Sequence, residues 1–199
     1  MDINFSEVGI ELKKELNSLD KFIIDFTKIL NRLNINYVLI SGYVSILFGR
    51  NRASEDIDVF IEKIDFKKFQ LLWKELSNKF ECINTPDLNE AFNSYLNQNH
   101  ALRFSKKGMF IPNVELKFPK IALDKWGIDN KRKVILNDND LFISPLELQI
   151  PFKLYLGTEK DIEDARFLYT LLKENLDIPL LEEFNRKLKI EKVFNRYLR

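Results

Sequence analysis

Apolar side chains recur through residues 10–33 at Leu12, Leu16, Leu19, Phe22, Ile23, Phe26, Ile29, Leu30 and Leu33. That spacing is close to the helical period and predicts one long amphipathic helix or two short ones. The pattern then changes. Residues 37–41 form a short run with Val and Ile, as a buried strand requires, and residues 43–48 predict a short helix that is apolar on nearly all sides. From Asp56 to Ile61 the residues alternate, sending Ile57 and Val59 into the core and Asp56 and Asp58 to the opposite face.

Further along, Asp65 caps a predicted helix reaching Leu76, with Phe66, Phe69, Leu72, Trp73 and Leu76 on one side. An edge strand is expected at 80–84 and a helix at 88–96, behind the capping-box spacing of Asp87 and Glu90. Strands at 101–105 and 114–118 follow, and residues 131–136 read as the last strand. Beyond them, Ser144-Pro145-Leu146-Glu147 combines a hydroxyl cap, Pro at the first helical position and an acid at the third. Thr158-Glu159-Lys160-Asp161 repeats the signal after a stop at Gly157, and a third helix starts near Pro179. Pro151 should kink the first of these helices. The expected organisation is an α/β part with an N-terminal helix over residues 1–143, and a helical region over 144–199 packed upon it.

Composition narrows the chemistry. Of 199 residues 45% are hydrophobic and 31% charged, and 17 Phe against 6 Gly and 6 Pro imply a bulky core with few long loops. The formal net charge of +1 gives no global attraction to nucleic acid or an anionic membrane. Locally, Arg186, Lys187, Lys189, Lys192, Arg196 and Arg199 outnumber Glu182, Glu183 and Glu191 near the C-terminus. Cys82 and His100 are the only residues of their kinds, which excludes an intrachain disulfide and a Cys/His zinc site. No apolar run approaches a membrane span and no basic-apolar leader opens the sequence, so the expected compartment is the cytoplasm.

The acid pair is the chemical focus. Two neighbouring carboxylates repel each other unless a cation intervenes, and a divalent metal would turn that repulsion into coordination. Alternation puts Glu115 and Lys117 opposite Val114, Leu116 and Phe118, making Glu115 the candidate third carboxylate. The Ser41-Gly42 turn would aim free backbone N–H groups of the following helix at a phosphate, with Gly42 permitting close approach. Arg50 and Arg52 precede the acidic strand and would neutralise phosphate charge, Arg52 being the better placed.

Ile40-Ser41-Gly42 followed by Asp56-Ile57-Asp58 resembles the signature of the DNA polymerase β-type nucleotidyltransferase superfamily. Within it, Gly49, Arg52, Ser54, Asp56 and Asp58 look most like the AbiEii-type toxin nucleotidyltransferases and their uncharacterised relatives. A second block, Pro145 to Arg166, is similar to that family's helical segment. The resemblance implies an α+β fold, a palm-like mixed sheet with flanking helices followed by a C-terminal helical region. It implies Mg2+ or Mn2+ held by Asp56, Asp58 and Glu115, and an NTP bound by Ser41, Gly42, Arg52, Ser54, Lys153 and Lys160, with Asp161 and Asp164 supporting the site. Ser41 departs from the family's first Gly, a change expected to tighten the turn or remove a left-handed conformation, and Val44 replaces a small Ala.

Three functions compete. The first transfers NMP from an NTP to a hydroxyl acceptor, by resemblance a tRNA 3′ end, with a cognate antitoxin as a possible partner and no DNA or membrane expected. The second is adenylylation of a small antibiotic-type acceptor, which an acidic pocket on the helical region would favour for a cationic drug. The third is a non-catalytic nucleotide-binding or regulatory module, favoured if Glu115 turns away from the acid pair or a side chain fills the cleft.

Overall fold

The computed structural model describes residues 1–198. Among these, nine strands form one mixed sheet: β1 (Asp2–Ser6), β2 (Gly9–Lys13), β3 (Tyr37–Ile40), β4 (Asp56–Ile61), β5 (Phe80–Cys82), β6 (Leu102–Lys106), β7 (Asn113–Lys117), β8 (Arg132–Leu136) and β9 (Asn139–Ile143). Their spatial order is β1-β2-β8-β9-β3-β4-β7-β6-β5. β3 and β4 are antiparallel, while β4 and β7 run parallel with Asp58 beside Glu115.

The helices are α1 (Ser18–Arg32), α2 (Gly42–Leu47), α3 (Phe66–Leu76), α4 (Leu88–Glu90), α5 (Ala122–Asp129), α6 (Leu146–Leu156), α7 (Glu159–Leu172), α8 (Ile178–Lys187) and α9 (Glu191–Leu198), with a π-helical turn at Ala91–Tyr95 continuing α4. On one side of the sheet α1 packs near α3 over an aromatic cluster, where Phe80 meets Phe26 at 5.3 Å and Phe22 at 5.7 Å between ring centres. The many phenylalanines serve this layer, where edge-to-face pairs add to area burial. The other side of β3, β4 and β7 carries Asp58, Phe60 and Lys117, and α5 and α6 roof it. The architecture is α+β, with a helical C-terminal region after the sheet.

Several expectations need correction. The helical stripe assigned to residues 10–33 begins at Ser18, because Gly9–Lys13 pairs in register with β1 and alongside β8. Leu12 is buried as a strand residue, and the chain opens on a β-hairpin, not a helix. Residues 132–136 are not the last strand, since β9 turns back onto them. The helix at Ala122–Asp129 has no counterpart in the sequence reading.

Capping is also partly different. Ser144 does not cap α6; Pro145 holds that position without a side-chain hydrogen bond, and a Cβ on Gly127 would stand 3.0 Å from the Ser144 hydroxyl oxygen. Glu147 serves α8 instead, accepting the Asp177 N–H at 3.1 Å. Asp87 accepts the Glu90 N–H at 2.7 Å, but the Glu90 carboxylate receives the Thr85 hydroxyl, so that capping box is half formed. Thr158 does cap α7, accepting from the Asp161 N–H at 3.2 Å, and Gly157 ends α6 in the left-handed region at φ 71°.

Candidate active site

Strand alternation delivers Asp58 and Glu115 to one face, and the parallel register makes them neighbours. Between them lies Lys117, whose Nζ donates to Asp58 Oδ1 at 2.6 Å and is 2.7 Å from Glu115 Oε2. Glu115 Oε1 accepts two further hydrogen bonds from Arg103, Nε at 2.9 Å and Nη2 at 2.7 Å. Arg103 reaches it because the antiparallel β6–β7 register sets the two residues opposite each other.

The charges tune one another. Burial raises the Asp58 carboxyl, Lys117 opposes that rise, and the negative charges of Glu115 and Asp56 reinforce it. Burial alone would raise Glu115 as well, but hydrogen bonds and charge from Lys117 and Arg103 outweigh it and hold that carboxyl below its ordinary value. For Lys117 burial disfavours the charge, yet Asp58 and Glu115 together push its pKa upward.

Asp56 stands at the exposed start of β4, where the Ser54 hydroxyl donates to its Oδ1 at 3.3 Å. Among the described residues no three Asp, Glu, His or Cys side chains are close-set enough to hold a metal ion. The expected trio of Asp56, Asp58 and Glu115 is therefore not brought together as one ligand set: Asp58 and Glu115 share the Lys117 charge and Asp56 does not join them. That ammonium marks a point where both carboxylates accept positive charge. An all-oxygen donor set there fits a hard divalent cation such as Mg2+ or Mn2+.

The turn after β3 is strained. Ser41 has φ 63° and ψ −135°, so the positive φ is kept although the residue is not Gly. Of the two expected effects of Ser, a tighter turn or loss of the left-handed conformation, the second does not occur. Its N–H donates to Gln149 Oε1 at 3.2 Å, tying the turn to α6. Gly42 opens α2, and the Arg52 guanidinium lies over it, 2.2 Å from where a Cβ would be.

Arg52 is held by Asp164. This carboxylate is fully buried and accepts from Arg52 Nη1 at 3.0 Å, from Lys153 Nζ at 2.7 Å and from Arg50. Arg50 also pairs with Glu163 and donates to the Lys160 carbonyl at 3.1 Å, which docks the first turns of α7 on the loop before β4. Lys153 is 1% exposed, and Asp161 lies 3.6 Å from its ammonium. Burial pushes the Lys153 pKa down to about 8, with Asp161 resisting and Arg52 and Arg50 pushing the same way. Burial, then Arg50, likewise lowers Arg52.

The structure thus gathers Arg52, Lys153, Asp161 and Asp164 by ion pairing, with Gly42, beside Ser41, and Ser54 against Arg52, whereas the Lys160 side chain is exposed. Arg52 and Ser54 line a separate cavity, whereas a cavity of about 240 Å³ is lined by Ser41, Asp58, Lys117, Asp124, Gln149 and Lys153 among apolar walls that include Phe60, Leu148 and Phe152. Its acids and bases are balanced, so it is not the acidic pocket that a cationic drug would favour. Sequence reasoning gave no role to Lys117, Arg103 or Gln149. The i,i+2 spacing of Glu115 and Lys117 on one strand was the available signal for the first, whereas Arg103 and Gln149 depend on long-range pairing. The C-terminal basic residues Arg186, Lys187, Lys189, Lys192 and Arg196 are exposed; Arg199 lies outside the described residues.

The fold is that of nucleotidyltransferase-like proteins. The chain is similar to an antigenic nucleotidyltransferase-like protein from Paracoccidioides brasiliensis, at 18% identity and a TM-score of 0.54 over 88% of this chain and 89% of the other. It is also similar to the antibiotic-resistance factor ANT(2'')-Ia in solution, at 13% identity and a TM-score of 0.54, covering 87% of this chain and 92% of that one. No family description matches the sequence, and no curated protein does. Among the described residues no helix is long and apolar enough to cross a membrane.

Proposed function

We propose that the chain is a nucleotidyltransferase that moves an NMP group from an NTP to a hydroxyl acceptor. The observation that carries this reading is the convergence of Asp58 and Glu115 on one positive charge at the wall of a cavity that also receives Ser41 and Lys153. Asp58 and Glu115 would hold Mg2+ or Mn2+, which when bound would neutralise charge on the triphosphate and favour attack by the acceptor oxygen, with Asp56 at the exposed start of the same strand as Asp58. Arg52 and Lys153, positioned by Asp164, supply the fixed positive charge that the phosphates require. The space that Gly42 leaves at the start of α2 is taken by the Arg52 guanidinium, so the phosphate would meet Arg52 there and not the bare turn. The apolar walls suit the flat faces of a base.

In this reading the acceptor is an RNA 3′ end such as that of tRNA, approached by the exposed basic residues of α8 and α9, in a toxin that a cognate antitoxin restrains. A second reading, a small-molecule hydroxyl acceptor, draws on the likeness to an antibiotic-resistance factor. Labelled NTPs with Mg2+ or Mn2+ would be offered total RNA in one series and aminoglycosides or lincosamides in another. Label on RNA supports the first reading, and label on a drug the second. No product from a folded protein that also fails to bind ATP overturns both. Asp58→Asn should abolish product while leaving the circular dichroism spectrum unchanged.

A further inference from the structure

We propose that Lys117 is a built-in counter-cation of the Asp58–Glu115 pair, which keeps the pair closed to divalent cations until nucleotide arrives and then turns to the nucleotide phosphates. The second half of this inference rests on the nucleotidyltransferase reading; the first half does not.

The charge count is the starting point. Asp58 and Glu115 contribute two negative charges, and Lys117 and Arg103 contribute two positive ones, all joined by contacts of 2.6 to 2.9 Å. A pair already neutralised has little to gain from a second cation. Lys117 is also the nearer competitor, since its ammonium stands between the two carboxylates, whereas Arg103 touches only the Oε1 side of Glu115. Its side chain is about one-quarter exposed at 23%, so it is neither locked in the core nor free in solvent. A lysine on a four-carbon stem can swing, as a planar guanidinium clamped at two nitrogens cannot. The direction of the swing is set by the cavity, because Lys117 lines it together with Ser41 and Lys153. When Lys117 leaves, Asp58 has no counter-charge and Glu115 keeps only Arg103 on its Oε1, so Asp58 and the free Glu115 Oε2 face each other with a net negative charge. That arrangement binds a divalent cation well, and the displaced ammonium is then positioned against the phosphate charge that enters with it.

An ordinary structural ion pair would behave differently, because its loss would weaken the sheet without improving cation binding. The test is Mn2+ binding to the full chain, followed by electron paramagnetic resonance, for wild type, Lys117→Met and Lys117→Arg, each with and without ATP. Without nucleotide, Lys117→Met should bind Mn2+ on the order of 10-fold more tightly than wild type, the scale of a charged hydrogen-bond pair that need no longer be broken. Lys117→Arg should stay within about twofold of wild type because it retains the charge. With Mn2+ saturating, Lys117→Met should bind ATP on the order of 10-fold more weakly. Equal or weaker Mn2+ binding by Lys117→Met overturns the proposal even if wild type makes labelled product. Tighter Mn2+ binding with unchanged ATP affinity keeps the counter-cation and overturns the turn to phosphate. Absence of Mn2+ binding in all three proteins overturns both the proposal and the metal-dependent reading. If Lys117→Met does not fold, Lys117→Gln replaces it with the same expectations.

Discussion

The guanidinium of Arg52 lies on the face of Gly42, so that a Cβ there would stand 2.2 Å from Nη2 and 3.0 Å from Cζ. The small residue is required by this side chain, which Asp164 anchors from the far side at 3.0 Å. Gly42→Ala must therefore push Arg52 off its carboxylate or strain the start of α2. The expected loss of stability is about 1–3 kcal/mol, as for overpacking a close contact. Because the cause is one pair, Gly42→Ala and Arg52→Ala should couple by roughly 1 kcal/mol or more in a double-mutant cycle followed by urea unfolding. Additive effects would mean that Arg52 adapts without cost.

Asp164 concentrates more charge than any other buried group in the site. Its two oxygens serve Arg50, Arg52 and Lys153 from complete burial. Asp164→Asn leaves three cations facing one another around a neutral amide, and removal of one partner from a buried ionic group costs about 3–5 kcal/mol. Chemical denaturation should show a loss of that size, with α7 losing protection from hydrogen exchange before the sheet does. A change below roughly 1 kcal/mol would mean that water or Asp161 replaces the carboxylate.

Ser41 offers a change in the opposite direction. Its φ of 63° with ψ −135° is a conformation that an L side chain adopts at a cost of about 1–3 kcal/mol. Its hydroxyl makes no capping bond in return. Ser41→Gly relieves the strain, and the greater freedom of Gly in the unfolded chain takes back about 0.5–1 kcal/mol. The net expectation is a gain of about 1 kcal/mol, read as a rise in melting temperature. If stability falls instead, the hydroxyl has a partner whose loss outweighs the strain.

The strand, turn, helix and acidic strand from Tyr37 to Ile61 were legible because each signal is local: alternation, a short apolar helix, a Gly at the turn. The same locality misled at residues 10–13. Leu12, Leu16 and Leu19 fit a helical period, while what makes Gly9–Lys13 a strand is its pairing with β1 and with the distant β8. The hydroxyl-Pro-acid signal at Ser144 also read correctly as a helix start and wrongly as a cap, since Ser144 still pairs with the sheet, its N–H donating to the Leu39 carbonyl at 3.1 Å. In the site, alternation placed Glu115 on the same face as Asp58. It could not reveal that Lys117 lies between them, because that contact needs the β4–β7 register. The Asp164 hub is of the same kind: Arg50 and Arg52 from the loop before β4 and Lys153 from α6 meet a carboxylate on α7, an assembly that no spacing records.

Lys153 gives the site a pH dependence. Buried among Arg50, Arg52, Asp161 and Asp164, its ammonium has a folded-state pKa of about 8 against an ordinary value of 10.5. The charged form is thus disfavoured by folding. Below about 8 the protein carries that unfavourable charge in full, and between about 8 and 10.5 the unfolded chain binds more protons than the folded one. Lys153 alone therefore makes stability rise with pH across that window. Nucleotide affinity should move the other way, because the lost proton removes a positive charge from the phosphate side of the cavity. ATP binding measured between about pH 7 and about pH 9.5 should weaken through the transition in wild type and stay flat in Lys153→Met. The corresponding stability difference between the two proteins should shift in favour of wild type as pH rises. A wild-type affinity that is level through pH 8 would show that Lys153 keeps its proton, and that Asp164 compensates the charge more fully than burial opposes it.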